Sequence, residues 1–323
     1  MIISKTPFRI SFCGGGTDIQ DYYKHDYGAV VSSTIDKHVY IAIHKFFENE
    51  YVLKYSQTET APDIASIKHP LIRESLKLTE TKDFLEISSF ADIPAKGSGL
   101  GSSSAFSVGL IKALMAQQGL MTSPDECAEG ACDVEIERLG EPIGKQDQYA
   151  AAFGGLNYIR FESNGTVKVE PIILAADKYK ELNDNLVLFY TGVTRSASTI
   201  LHEHKKISGT EEYEARMTAI RYHADHLKHE LANGQIDAVG GRMHLNWELK
   251  RGLNGVSNTE FDAIYARGIT AGAIGGKILG AGGGGFFLFY TRDKPKLIAA
   301  LSDLRHIEFN LEQQGTSIIY YQH

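Results

Sequence analysis

Apolar and polar residues alternate from the start of the chain. Ile2-Ile3 and Phe8-Arg9-Ile10-Ser11-Phe12 read as strand and run into the small-residue turn Cys13-Gly14-Gly15-Gly16-Thr17-Asp18. Two further strand-like runs, 28–35 and 38–43, follow closely. Strands in such quick succession predict an antiparallel or mixed sheet rather than a βαβ repeat. Residues 62–80 read as a short helical region. Residues 84–90 read as a strand feeding a glycine-serine run at 97–104, and helical periodicity follows over 106–114. Pro124 opens another helix, with Ser123 as N-cap and Asp125 and Glu126 in its first turn, and this helix stops at Gly140. Residues 185–190 predict a strand, 210–250 a charge-rich helical stretch, and 275–285 a glycine-rich separator between a helix and a strand at 286–290. No repeat of 20–50 residues is visible. The pattern places a boundary near residue 178, with domains at 1–178 and 179–323.

Composition narrows the function classes. The chain has 323 residues, 43% of them hydrophobic, enough for two cores. A net charge of −7 speaks against a nucleic-acid surface, which needs a basic face. No run of about 18 apolar residues predicts a membrane span. The N-terminus reads as a first strand, not a signal peptide. Cys13, Cys127 and Cys132 form no CxxC pair, which suits buried fillers in a reducing, cytoplasmic setting. His223, His226 and His229 recur on a charged helix and read as surface residues, and Trp247 reads as core.

The run Gly97-Ser98-Gly99-Leu100-Gly101-Ser102-Ser103-Ser104-Ala105 carries the clearest chemistry. Glycines let backbone N–H groups close on phosphate oxygens, and the following helix N-terminus adds partial positive charge. Two other phosphate motifs fail here. No lysine follows Gly101, as a P-loop requires, and Ser102 stands at the last glycine position of GxGxxG. Gly280, Gly282 and Gly285 satisfy that spacing, but a strand follows them where the fingerprint requires a helix.

Three segments in order resemble the motifs of the GHMP kinases: Pro7 to Asp18, Gly99 to Ala105, and Lys277 to Gly285. Together they span nearly the whole chain. One departure is visible, an extra residue between Pro94 and Gly99, which bears on residues 95–98 and not on 99–104. The resemblance implies an α+β fold of two domains, the first ribosomal-protein-S5-like and the second ferredoxin-like, with ATP and acceptor in the cleft between them. It maps the catalytic aspartate onto Asp147, with Arg9 stabilising the transferring phosphoryl group. Gly97, Ser98, Gly99, Leu100, Gly101, Ser102, Ser103 and Ser104 would hold ATP. The Mg2+ ligands would be Ser103 and Glu135, with Glu137 as fallback because residues two apart on a helix face different ways.

The acceptor side would comprise Gly15, Gly16, Thr17, Asp18, Gly282, Gly283 and Arg195. Galactokinases carry Glu-His where Gly15-Gly16 stand here, so the pocket is expected to be larger and the acceptor a bulkier sugar. The first motif and Thr191 to Ser198 resemble the D-glycero-D-manno-heptose 7-phosphate kinases and the kinase domain of L-fucokinases. That implies transfer to an anomeric hydroxyl. Arg195 is the candidate reader of a phosphate already on the acceptor, since guanidinium meets phosphate oxygens bidentately. The alternatives are an acceptor like L-fucose or mannose, a mevalonate-type kinase, and a catalytically silent sugar sensor. The expected partners are a small sugar or sugar phosphate, with the oligomeric state open.

Overall fold

The computed structural model describes residues 1–93, 97–193, 200–202 and 207–322. A nine-stranded sheet is built on two long strands, β1 (Ile2–Cys13) and β2 (Tyr27–Lys45), which run antiparallel. The predicted breaks within them do not occur. Pro7 cannot donate to a ladder, and the register shifts between Pro7 and Phe8, so a bulge absorbs the proline and the strand continues. In β2 the gap predicted at Asp36 is bridged because its N–H donates to the Asn310 carbonyl at 2.9 Å.

Between these strands lies the short α1 (Gln20–Tyr23). The hairpin β3 (Tyr51–Lys54) and β4 (Thr58–Ala61) follows, then α2 (Pro70–Leu78), which is all that becomes α-helix of the stretch 62–80. After β5 (Leu85–Ala91) come α3 (Ser102–Gln117) and α4 (Pro124–Cys132). The predicted helix to residue 139 changes character at Cys132 and continues as a π-helical turn, Asp133–Arg138. Then come α5 (Gln146–Phe153), β6 (Asn157–Glu162) and β7 (Val167–Pro171). The last eight residues of β1 are buried, covered by α3 and by helices from the second half of the chain.

After α6 (Ala176–Asn185), β8 (Leu186–Tyr190) begins a second sheet. Residues 210–250 form two helices, α7 (Glu211–Ala232) and α8 (Ala238–Arg251), and α9 (Thr259–Thr270) follows. The predicted separator begins as strand: β9 (Ala273–Ile278) pairs with β10 (Phe286–Thr291), so Lys277 lies on a strand. With α10 (Lys294–Ala300) and β11 (Arg305–Ile307), the strand order is β11-β8-β10-β9. That is the βαββαβ arrangement of a ferredoxin-like unit.

The tail then departs from a boundary that assigns residues 179–323 to one domain. Strand β12 (Leu311–Glu312) pairs with β2, and β13 (Ser317–Tyr321) pairs with β1, both in the first sheet. Further ties join the halves. Tyr27 and Tyr158 hydroxyls donate to the two Asp225 oxygens at 2.9 and 2.7 Å, while Arg160 and Arg221 lie over the Tyr27 ring. No helix among the described residues is long and apolar enough to cross a membrane.

Candidate active site

The glycine-serine loop owes its shape to three alternate glycines. Gly97, Gly99 and Gly101 have φ of 68°, 73° and 73°, a region that side chains disfavour. They also permit backbone contact with the third glycine segment. A Cβ on Gly99 would stand 2.4 Å from the Leu279 carbonyl oxygen, one on Gly280 2.7 Å from the Gly99 Cα, and one on Gly285 2.3 Å from the Ser98 oxygen. The segment at 279–285 therefore forms the back wall of the loop. The serines divide their work. Ser98 donates to Ser102 Oγ at 3.3 Å and accepts from the Leu100 N–H, so these hydroxyls brace the loop from within. Ser98, Ser102 and Ser104 are buried, and Ser103 is exposed where α3 begins.

Across the loop, β1 and α5 bring a cation and a carboxylate together. Arg9 donates through Nε and Nη2 to the two Asp147 oxygens at 2.7 and 2.8 Å, and through Nη1 to the Gly99 carbonyl at 2.5 Å. Asp147 occupies the first turn of α5, where the helix dipole favours negative charge. Gly101 leaves room for the pair, since a Cβ there would approach Asp147 Cγ and Oδ2 to 3.2 Å and Arg9 Cγ to 3.3 Å. Arg9 is not a surface arginine: β2 pairs with it on one side, its N–H donates to the Leu100 carbonyl at 3.1 Å on the other, and it is 3% exposed.

Glu135 sits in the π-helical turn, buried, with one oxygen accepting from Ser103 Oγ at 2.8 Å and the other from Gln148 Nε2 at 2.7 Å. Burial pushes its carboxyl up to about 7, opposed by hydrogen bonds from Ser103, Ser104 and Gln148 and reinforced by Asp147. Glu137 is exposed. A buried carboxylate beside an exposed hydroxyl is an all-oxygen donor pair at the helix N-terminus, which fits Mg2+. That ion is typically held by one or two carboxylates together with substrate phosphates. No group of three His, Cys, Asp or Glu side chains among the described residues could hold a metal.

Of the residues expected to face the acceptor, Asp18 is buried. It accepts from the Gly16 N–H at 2.8 Å, the Gln146 N–H at 3.2 Å and Gln146 Nε2 at 3.0 Å. Burial, then Asp147, raises its carboxyl above the usual range. Thr17 spends its hydroxyl on the Gly14 and Ala29 carbonyls and shapes the turn. The pocket enlargement expected from Gly15-Gly16 is only partial. A Cβ on Gly16 would meet Met217 Cε at 2.9 Å, and one on Gly15 would lie 3.4 Å from Gln146 Nε2. Gly282 and Gly283 pack on Val256, the latter by an N–H bond of 2.9 Å to its carbonyl. Arg195 lies outside the described residues.

Two buried lysines were passed over in the sequence. Lys277 donates to the Ser11 carbonyl at 2.9 Å, and burial together with Lys250 lowers it to about 7. Lys250 is 7% exposed on α8, and burial lowers it to about 8. A signal existed, because Met243, Trp247 and Lys250 share the apolar spacing of one helix face. Gln146 and Gln148 flank Asp147 and carried no comparable signal. The three histidines of α7 form no cluster, and His223 Nδ1 lies 3.3 Å from Arg242 Nη1.

Comparison with known proteins adds an independent line. Residues 69–155 match the model of the GHMP kinases N terminal domain, and residues 227–306 that of the GHMP kinases C terminal. The chain is 34% identical over 316 residues to the D-glycero-alpha-D-manno-heptose 7-phosphate kinase of Campylobacter jejuni, covering 93% of each. It is 26% identical to the bifunctional fucokinase/GDP-fucose pyrophosphorylase of Arabidopsis thaliana, over 97% of this chain and 32% of that protein. The crystal structure of a D-glycero-D-manno-heptose 1-phosphate kinase from Bacteroides thetaiotaomicron superposes with a TM-score of 0.81 at 25% identity, covering all of both chains.

Proposed function

For this chain, which belongs to the GHMP kinase family and is an ATP-dependent sugar kinase, we propose that the acceptor is D-glycero-D-manno-heptose 7-phosphate, phosphorylated on its anomeric hydroxyl to the 1,7-bisphosphate. The observation that carries the chemistry is the Arg9–Asp147 fork held against the carbonyl of Gly99. Asp147 takes the proton as the anomeric oxygen bonds to the γ-phosphorus and the bond to the ADP oxygen breaks. Arg9 fixes the orientation of Asp147 through two hydrogen bonds and meets the charge on the transferring group. Backbone N–H groups of Gly97 to Ser104, apart from that of Leu100, which donates to Ser98 Oγ, hold the phosphates. Ser103 and Glu135 would hold Mg2+, which would neutralise charge between the β- and γ-phosphates.

The heptose reading draws on the Campylobacter jejuni relative and on the Gly15-Gly16 pair, which leaves a wider pocket than a Glu-His pair would. A second reading, an acceptor like L-fucose or D-mannose, draws on the fucokinase relatives. A coupled ADP-release assay over heptose 7-phosphate, L-fucose, D-mannose and mevalonate separates them. The heptose proposal predicts the highest kcat/KM for heptose 7-phosphate, and a higher value for any other acceptor defeats it.

A further inference from the structure

Lys250 is a strong charge at this site to which the phosphoryl-transfer scheme gives no work. Its ammonium has a single hydrogen bond among the described residues, to the Gly280 carbonyl at 3.3 Å. Gly280 packs on Gly99, whose carbonyl takes Arg9 Nη1. The two cations thus grip the carbonyls on either side of one glycine–glycine contact. The charges that face Lys250 are Asp18 from the turn after β1, Arg9 from β1, Asp147 from α5 and Lys277 from β9. An ammonium has three N–H donors, and burying two without acceptors is costly.

One helical turn earlier on α8, Asn246 accepts from the Gly14 N–H at 3.1 Å and leaves its Nδ2 buried without a partner. Ser11 Oγ and Gln146 Oε1 are also buried and unpartnered. Both lie within 3.6 Å of the point where a Cβ on Gly15 would stand. Beside Asp18, the unused groups therefore include donors (Lys250 and Asn246), an acceptor (Gln146 Oε1) and a hydroxyl able to do both. A phosphate or carboxylate ligand would call for donors only. Neighbouring ring hydroxyls each donate and accept, and so match a mixed set.

We propose that Lys250 and Asn246 are acceptor-binding residues, through which α8 reads ring hydroxyls of the sugar next to Asp18. The assignment rests on the sugar-kinase reading above and extends it to the second half of the chain. Lys250 also balances the Asp18 and Asp147 carboxylates, so that the hydroxyl-bearing ring enters a site already neutralised.

The test is steady-state kinetics on heptose 7-phosphate, L-fucose and D-mannose with Lys250→Met, Lys250→Arg and Asn246→Asp. The last keeps the acceptor for the Gly14 N–H and removes the Nδ2 donor. Loss of one hydrogen bond to a charged group corresponds to roughly 10- to 100-fold. Lys250→Met is therefore expected to raise the acceptor KM by at least about tenfold while the ATP KM stays within about twofold. Asn246→Asp should move the acceptor KM the same way. In the native enzyme kcat/KM for the acceptor should fall above about pH 8, as Lys250 loses its proton, and Lys250→Arg should lack that limb. An unchanged acceptor KM in Lys250→Met and Asn246→Asp overturns the assignment, as does an equal rise for ATP and acceptor, the mark of a merely structural lysine. Should Lys250→Met fail to fold, Lys250→Arg and Asn246→Asp decide the matter. If the native protein phosphorylates none of the three sugars, the sugar reading itself falls and this assignment with it. Turnover with unaltered variants sinks the assignment alone.

Discussion

Replacing Asp147 with asparagine separates proton transfer from loop architecture. Asp147 accepts two bonds from Arg9, at 2.7 and 2.8 Å, and Arg9 is 3% exposed. Asparagine keeps one carbonyl acceptor but turns an NH2 group against a guanidinium N–H, donor facing donor. Breaking a buried pair by removing one partner costs about 3–5 kcal/mol. The Asp147 side chain is 24% exposed, so water can take up part of the loss. A destabilisation of about 2–3 kcal/mol follows, a fall in Tm on the order of 5 °C for a chain of this size. Loss of the proton acceptor should lower kcat by about 10²–10⁴. A coupled ADP-release assay with heptose 7-phosphate measures the rate, and titration with a fluorescent ATP analogue measures nucleotide binding, which should stay within about threefold. Turnover within tenfold of native would refute the role of Asp147. Parallel loss of ATP binding would instead show that the fork works by holding the loop through Gly99 and Gly101.

The remaining predictions concern the loop, the buried carboxyl and the domain contact. Gly99→Ala forces a Cβ to 2.4 Å from the Leu279 oxygen at φ 73°, so the ATP KM should rise about tenfold or more. Gly119→Ala, with the same φ sign and open space around it, should leave kinetics unchanged, and equal effects of the two would refute the back-wall reading. Glu135 titrates near 7 in the fold against 4.5 unfolded, so between those values the native state binds more protons and stability falls as pH rises. By pH 8 without divalent ions the penalty is about 3 kcal/mol. Glu135→Gln should remove that slope in thermal unfolding at pH 5 and pH 8 and should raise the Mg2+ requirement, and identical slopes would refute the argument. Asp225→Ala strands the Tyr27 and Tyr158 hydroxyls and should cost about 1–3 kcal/mol of stability while kcat holds. A Tm within 1 °C of native would show that this contact contributes nothing.

Local chemistry determined much of this protein from sequence alone. Alternate glycines before a helix predicted an anion loop because the chemistry needs no distant partner, and the caps at Ser123 and Pro124 act within one turn. The resemblance of the three motifs to those of the GHMP kinases implied the α+β fold and placed Arg9 and Asp147 in one site. Other features arose only from long-range packing. The strand pattern leaves a gap between Ile3 and Phe8, yet β1 passes through Pro7 because a bulge against β2 absorbs it. Gly15 and Gly16 read as empty space until Met217, two hundred residues later, fills part of it. Lys250 and Lys277 read as ordinary lysines until burial brings them beside Asp18, Arg9 and each other. The loop at 97–101 was legible as a loop leading into a helix. Its back wall at 279–285, the cation beside it and the return of the tail to the first sheet depend on which distant surfaces exclude water together, and hydrophobic periodicity along a chain does not encode that pairing.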